Sequence, residues 1–254
     1  VKLARKKTLI KDIYSIEMLA RTDVLCLDKT GTITDGTMNV VEVINTSKKK
    51  TENIEEIISN ILFAQASSNV TSIALSNHFP IKETMKTTSV LEFSSTRKFS
   101  VTTFENGKTY YLGAISFTNC KITKKQQDLI NEQMEKGNRV IGLVESDEEF
   151  KEEKGATGQR LLAIIALEDH IRKDAIQTIK WFKENDVQIK IISGDDPLTV
   201  SKIAKRVNIE NYDKYISLEN VNLEEINTIA ENYTVFGRVS PEQKYALIKA
   251  LKAK

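Results

Sequence analysis

Five consecutive residues, Asp28-Lys29-Thr30-Gly31-Thr32, bring together a carboxylate, an ammonium, two hydroxyls and a glycine. A carboxylate at the mouth of such a loop can attack a phosphoryl group in line. The loop's backbone N–H groups, with the Thr30 and Thr32 hydroxyls, face the phosphate oxygens. Gly31, lacking a Cβ, lets the backbone come close. Two further groupings suit the same chemistry. Ser193-Gly194-Asp195 offers a hydroxyl and an unhindered N–H, and Lys244, in Arg238-Val239-Ser240-Pro241-Glu242-Gln243-Lys244, offers a cation. Phosphoryl transfer to a carboxylate leaves several anionic oxygens together, so a nearby positive charge is required. Taken alone, Ser-Gly-Asp-Asp is a common turn and Ser-Pro-Glu-Gln-Lys a common helix start. Their weight comes from sharing a chain with Asp28.

Such groups need a scaffold that gathers them. Val24-Leu25-Cys26-Leu27 is a short apolar run of strand formers that ends abruptly at Asp28, and Val187–Ile192 ends in the same way at Ser193. Leu161–Leu167 reads as another buried strand and Thr234–Gly237 as a weaker one. Helical patterns lie at Asp174–Asn185, Pro197–Val207 and Pro241–Ala253, the last two with Pro at the first position, where its missing N–H costs nothing. Strand and helix alternate, which predicts a parallel sheet whose polar chemistry collects at the carboxyl ends of the strands.

Residues 40–158 break this rhythm. After a helical pattern over Ile54–Ser68 come two alternating runs, Ser100–Phe104 and Lys108–Leu112, joined through Asn106-Gly107, a strong hairpin signal. Val140–Val144 is a further strand, and the polar stretch Asp147–Gln159 reads as an exit linker. The expected architecture is an α/β domain over 1–39 and 159–254, interrupted at 40–158 by an α+β domain with an antiparallel sheet. Composition fits: 40% hydrophobic and 28% charged residues suit a globular chain, and a net charge of +2 makes no electrostatic case for nucleic acid as partner. The longest apolar run, Leu161–Leu167, is far shorter than the roughly 20 residues that cross a bilayer. Cys26 and Cys120 lack metal-ligand spacing, as expected of a soluble chain from a reducing compartment.

Asp28–Thr34 carries intact the signature Asp-Lys-Thr-Gly-Thr-[hydrophobic]-Thr and so resembles the P-type ion-motive ATPases. The resemblance covers nearly the whole chain. It implies a haloacid-dehalogenase-like, Rossmann-like phosphorylation domain interrupted by a nucleotide-binding domain, with Asp28 phosphorylated by ATP. Ser193 and Gly194 stand where the family has Thr-Gly, and implicitly hold the phosphoryl oxygens, with Asp195 following. Lys244 matches the Lys that neutralises the phosphoryl charge, and Arg238 opens that motif. Asp169-His170-Ile171-Arg172 resembles Asp-Pro-x-Arg, with His170 replacing Pro and given no catalytic role. Asp169, Arg172, Asp195 and Arg238 are grouped by the resemblance with the nucleotide site.

In the inserted block, Phe93–Val101 resembles the family's nucleotide segment, implying that Phe93 stacks on adenine with Lys98 beside it. Gly113 matches the Gly of Lys-Gly-Ala, but Leu112 replaces the Lys and removes a positive contact. Arg139, in Lys136-Gly137-Asn138-Arg139, supplies charge for the nucleotide phosphates.

Mg²⁺ is the implied metal, bridging an Asp28 carboxylate oxygen, the Thr30 carbonyl and a phosphate oxygen. Phosphatases of the wider superfamily place a second Asp two residues after the nucleophile; here that residue is Thr30, so the phosphoenzyme is expected to persist. The family's Gly-Asp-Gly-x-Asn-Asp loop, its actuator domain and its transmembrane helices are not in the sequence. The expectation is therefore a cytoplasmic piece of a bacterial plasma-membrane pump of the calcium-type class, monomeric as a piece, with a basic start (Lys2, Arg5, Lys6, Lys7, Lys11) descending from a membrane helix. Two alternatives stand beside it: a free-standing phosphatase of the superfamily and a non-catalytic nucleotide-binding module.

Overall fold

The computed structural model describes residues 17, 21–47, 52–65 and 68–253, so the basic start falls outside the described residues. The chain divides into two compact units, one built from residues 1–29 and 173–254 and the other from 30–172.

The first unit holds four parallel strands in the order β1-β8-β10-β9: β1 (Val24–Asp28), β8 (Gln188–Ile192), β9 (Tyr215–Ser217) and β10 (Val235–Gly237). Helices α4 (Ala175–Glu184), α5 (Pro197–Arg206) and α6 (Ile226–Asn232) precede β8, β9 and β10 in turn, and α7 (Pro241–Lys252) follows β10. Ile192, Leu218, Ile226, Ala230, Phe236, Leu247 and Ala250 form a core in which strand ends meet α6 and α7. Lys190 is buried in β8, where its ammonium donates to the carbonyls of Tyr233 at 2.7 Å and Glu231 at 3.3 Å, at the carboxyl end of α6. Cations are favoured at that end of a helix dipole. Desolvation nevertheless pulls the Lys190 amine below its ordinary value, and burial pushes the thiol of Cys26, its register partner, upward.

The second unit is an antiparallel sheet in the order β2-β7-β6-β5-β4-β3: β2 (Thr34–Asn45), β3 (Thr87–Leu91), β4 (Phe99–Phe104), β5 (Thr109–Gly113), β6 (Arg139–Ser146) and β7 (Arg160–Ile171). Helices α1 (Ile54–Ala64) and α2 (Val70–His78) pack into one cluster with Leu112, Leu143, Ala163, Ile165 and Leu167. Ile130 of α3 (Lys124–Glu135) joins Val101, Tyr111, Val144 and Ile164 in another. The Asn106-Gly107 turn joins β4 to β5 as the sequence predicts, with Gly107 at φ 77°.

Three expectations are corrected. Leu161–Leu167 is not a strand of the parallel sheet: it lies in β7, between β2 and β6. Its continuous apolar character has a physical cause, because β7 is a central strand of a sheet with apolar clusters on both faces. Asp147–Gln159 is not an exit linker. Phe150 and Ala156 pack into the core, Gly158 N–H donates to the Thr118 carbonyl at 2.9 Å, and a Cβ on Gly158 would lie 2.5 Å from that oxygen. The second unit runs over 30–172, with β2, which continues through residues 39 and 40, paired to β7. The helical pattern starting at Ile54 ends at Ala64, its cap residue Gln65 being extended.

Candidate active site

In the first unit, β1 and β8 run side by side with Asp28 opposite Ile192, so Asp28 and Ser193 occupy adjacent carboxyl ends of parallel strands. This is where an open α/β sheet places its ligands. The Asp28 carboxylate is 46% exposed and accepts from the Lys244 ammonium at 2.7 Å. Lys244 is aimed by its own helix. Ser240 caps α7 in a capping box with Gln243, and Pro241 occupies the first turn. The buried Gln243 amide donates to the carbonyls of Leu218 at 2.8 Å and Val221 at 2.9 Å, pinning that turn to the segment after β9.

Ser193 is buried, and its hydroxyl oxygen accepts from the Asp195 N–H at 3.2 Å, which leaves the hydroxyl proton to donate elsewhere. Gly194 is exposed at the crest of this turn. The two adjacent aspartates divide their work. Asp196 caps α5, accepting from the Leu198 and Thr199 N–H groups, while Asp195 pairs with Lys29 at 2.6 Å. Lys29 is fully buried and the Asp195 side chain 24% exposed, a pairing that sequence reasoning missed although it singled out both residues. Arg238 has φ 54° and donates its N–H to the Asp195 carbonyl at 2.8 Å. The structure thus gathers Asp28, Lys29, Ser193, Gly194, Asp195, Arg238 and Lys244 at one end of one sheet.

The remaining candidates lie in the second unit. Thr30 (φ −79°, ψ 126°) and Gly31 (φ 77°, ψ −3°) have the dihedrals of the central positions of a type II turn, which explains the glycine. Thr32 is exposed. Asp169 is buried on β7 opposite Met38, and Arg172 just beyond it donates its N–H to the Ile33 carbonyl at 3.0 Å. His170 contacts the side chains of Thr37 at 3.0 Å and Asn39 at 2.8 Å, tying β7 to β2. Hydrogen bonds from Thr37 hold the Asp35 carboxyl below its ordinary value, with His170 and Arg172 adding to the effect.

Phe93 is 44% exposed in the connection from β3 to β4. Lys98, at φ 64°, ends that connection, and its carbonyl accepts from the Ala114 N–H at 2.9 Å. Gly113 is the seat for this contact: a Cβ there would stand 2.4 Å from the Lys98 carbonyl oxygen and 2.6 Å from the Phe99 Cα. Lys98 and Gly113 are therefore brought together. Arg139 opens β6 opposite Leu167 of β7, so its strand is separated from β4 by β5. Arg97 is a residue that sequence reasoning passed over: its guanidinium donates to the Glu92 carbonyl at 2.7 Å, and its position next to Lys98 was the available signal.

Among the described residues no cluster of three or more His, Cys, Asp or Glu side chains could hold a metal, and no helix is long and apolar enough to cross a membrane.

A sequence model of the haloacid dehalogenase-like hydrolases matches residues 22–254. The chain is 36% identical to the probable cation-transporting ATPase exp7 of Streptococcus pneumoniae, over 99% of this chain and 32% of that protein. It is 29% identical to the calcium-transporting ATPase CtpE of Mycobacterium tuberculosis, over 100% of this chain and 32% of that protein. Against the magnesium-transporting ATPase, P-type 1, of Salmonella typhimurium identity is 23%, over 99% and 32%. The chain thus spans about a third of the length of the curated relatives it matches. A match running through both halves of the parallel-sheet unit, together with whole-chain similarity to such pumps, means that the chain belongs to the haloacid dehalogenase-like hydrolase family, on its P-type ATPase branch.

Proposed function

We propose that this chain is the ATP-binding and aspartyl-phosphorylation unit of a cation-transporting P-type ATPase, working on the cytoplasmic side of the membrane. The observation that carries the reading is the Asp28–Lys244 contact at the carboxyl ends of parallel strands, beside Ser193. In the proposed step an Asp28 carboxylate oxygen attacks the γ-phosphorus of ATP. The bond from that phosphorus to the β,γ-bridging oxygen breaks, and ADP departs with the electron pair. Lys244 offsets the negative charge gathering on the phosphoryl oxygens, and the Ser193 hydroxyl and Gly194 N–H donate to them. Lys29 acts one layer behind, holding Asp195 and with it the turn that carries Ser193.

Asp28 is a hard oxygen donor with an exposed carboxylate and would suit Mg²⁺, with the Thr30 carbonyl as the other proposed protein ligand. When bound, the ion neutralises phosphate charge. Thr30, standing where a phosphatase has its second Asp, supplies no general base, so the acyl phosphate lasts long enough for a conformational step. In the second unit, Phe93 offers a ring for adenine, and Lys98 and Arg139 offer charge for the phosphates. The actuator and membrane parts of a whole pump are the partners this role requires.

Two measurements test the reading. Titration of the chain with Mg²⁺-free ATP, followed by ¹H–¹⁵N NMR, should move signals of Phe93, Lys98 and Gly113; shifts confined to residues outside 30–172 would refute the nucleotide assignment. In a full-length pump containing this chain, Asp28→Asn should abolish the acid-stable, hydroxylamine-labile phosphoprotein, and undiminished labelling would exclude Asp28 as the acceptor.

A further inference from the structure

We infer that Arg97 is a positioning residue for the adenine platform, fixing the direction of the Phe93 ring without touching the nucleotide itself; the inference rests on the nucleotide reading of the Phe93 loop given above. Phe93 is 44% exposed, so the core does not hold its ring, and the direction of its Cα–Cβ bond is left to the backbone. The carbonyl before Phe93, that of Glu92, and the carbonyl of Ser94, one residue after it, are both restrained. Arg97 Nη2 donates to the Glu92 carbonyl at 2.7 Å, which orients the peptide plane immediately before Phe93. The Lys98 N–H donates to the Ser94 carbonyl at 2.7 Å, and the Thr96 N–H to the Ser94 hydroxyl at 3.2 Å, which restrains the plane following Ser94. Anchoring the planes before Phe93 and after Ser94 narrows the range open to the backbone torsions of these two residues.

The guanidinium sits in this loop at a cost. Its Nε is buried and has no hydrogen-bond partner, and the other nearby charge is the exposed Glu152, 4.0 Å from Nη1, a weak pairing. A cation kept partly out of water to grip one backbone carbonyl is explained by what that carbonyl adjoins. Lys98 then closes the loop in the left-handed region, with its own carbonyl tied to Ala114 over the side-chain-free face of Gly113. The loop is therefore braced at its far end by backbone and glycine, and at its Phe93 end by Arg97.

Binding of adenosine, of inorganic tripolyphosphate and of ATP to the whole chain should be measured by calorimetry for the parent, Phe93→Ala, Arg97→Ala and the double variant. Removing a stacking ring weakens base binding by about tenfold. Arg97→Ala should weaken adenosine by a similar factor, leave tripolyphosphate unchanged, and add nothing in the Phe93→Ala background, because the route through the ring is already lost. Arg97→Lys, still able to donate to the Glu92 carbonyl, should restore most of the affinity. If Phe93→Ala weakens adenosine and Arg97→Ala does not, the inference is overturned and the nucleotide reading stands. An equal Arg97→Ala effect in the Phe93→Ala background, or a loss confined to tripolyphosphate, would mean direct contact and also overturns it. If neither variant alters adenosine binding, the nucleotide reading of this loop falls and the inference with it. Should Arg97→Ala fail to fold, Arg97→Met, which keeps the aliphatic stem, takes its place.

Discussion

The buried pair Lys29–Asp195 predicts an asymmetry that can be measured. At 2.6 Å and an effective dielectric of about 20, two unit charges attract by about 6 kcal/mol. Most of that is offset by the several kcal/mol lost in taking each ion out of water. The two partners are desolvated unequally, Lys29 being fully buried and Asp195 24% exposed. Asp195→Asn removes the counter-charge 2.6 Å from an inaccessible ammonium and should cost about 3–5 kcal/mol, the usual result of breaking a buried pair from one side. Lys29→Met also loses the attraction, but it removes the desolvated ammonium, keeps the volume filled, and leaves Asp195 able to gain water. Its cost should be about 1–2 kcal/mol. The single tryptophan, Trp181 in α4, belongs to the same unit, so intrinsic fluorescence during urea unfolding reports on the unit that contains the pair. The double variant should cost less than the sum of the singles. The reasoning is refuted if Lys29→Met destabilises as much as Asp195→Asn, or if the two add without coupling.

Other expectations follow from the same geometry. Lys244→Ala should change stability by under about 1 kcal/mol, since both partners are roughly half exposed, yet reduce Asp28 phosphorylation by about a hundredfold or more; urea midpoints and acid-stable labelling separate the two. Gly237→Ala should cost about 2–4 kcal/mol in urea unfolding, because its Cβ would lie 2.5 Å from Pro197 N and 2.6 Å from Pro197 Cα, both backbone atoms. Lys190 is depressed by desolvation in the folded state, so the unfolded chain binds the extra proton between the two values; its penalty is complete below the folded value and fades as pH rises toward about 10.4. Urea midpoints of Lys190→Met at pH 8 to 10.5 should lack that rise.

That Asp28, Ser193 and Lys244 meet at one end of the parallel sheet was legible because each lies at an element boundary with a local signature. β1 stops at a charged loop, α5 and α7 start at Pro with side-chain caps, and Asp28, Ser193 and Lys244 fall at those junctions. The antiparallel unit was legible as a hairpin but not in its extent. Leu161–Leu167 has the all-apolar composition of a parallel strand, and only long-range pairing with Val40–Asn45 and Arg139–Val144 shows that two helical layers, rather than a parallel sheet, bury it on both faces. α3 was missed because its polar Lys-Lys-Gln-Gln-Asp start hides a stripe of Leu129, Ile130 and Met134. The Lys29–Asp195 and Arg97–Glu92 contacts are geometric facts that residue types alone do not encode, the second being to a backbone carbonyl.

The contact between the Lys244 ammonium and the Asp28 carboxylate also bears on timing. On the proposed phosphoryl transfer, the cation that would meet the product's charge is already paired beforehand with the Asp28 carboxylate. If the carboxylate became an acyl phosphate as proposed, Asp28 would no longer carry the charge that drew Lys244, and the ammonium's best partner would be the transferred group. The N-terminal turn of α7, clamped through Gln243 to the carbonyls after β9, would register that change of partner. On that proposal a single side chain would exchange one anion for another, and the first turn of α7 would report whether Asp28 is charged or esterified.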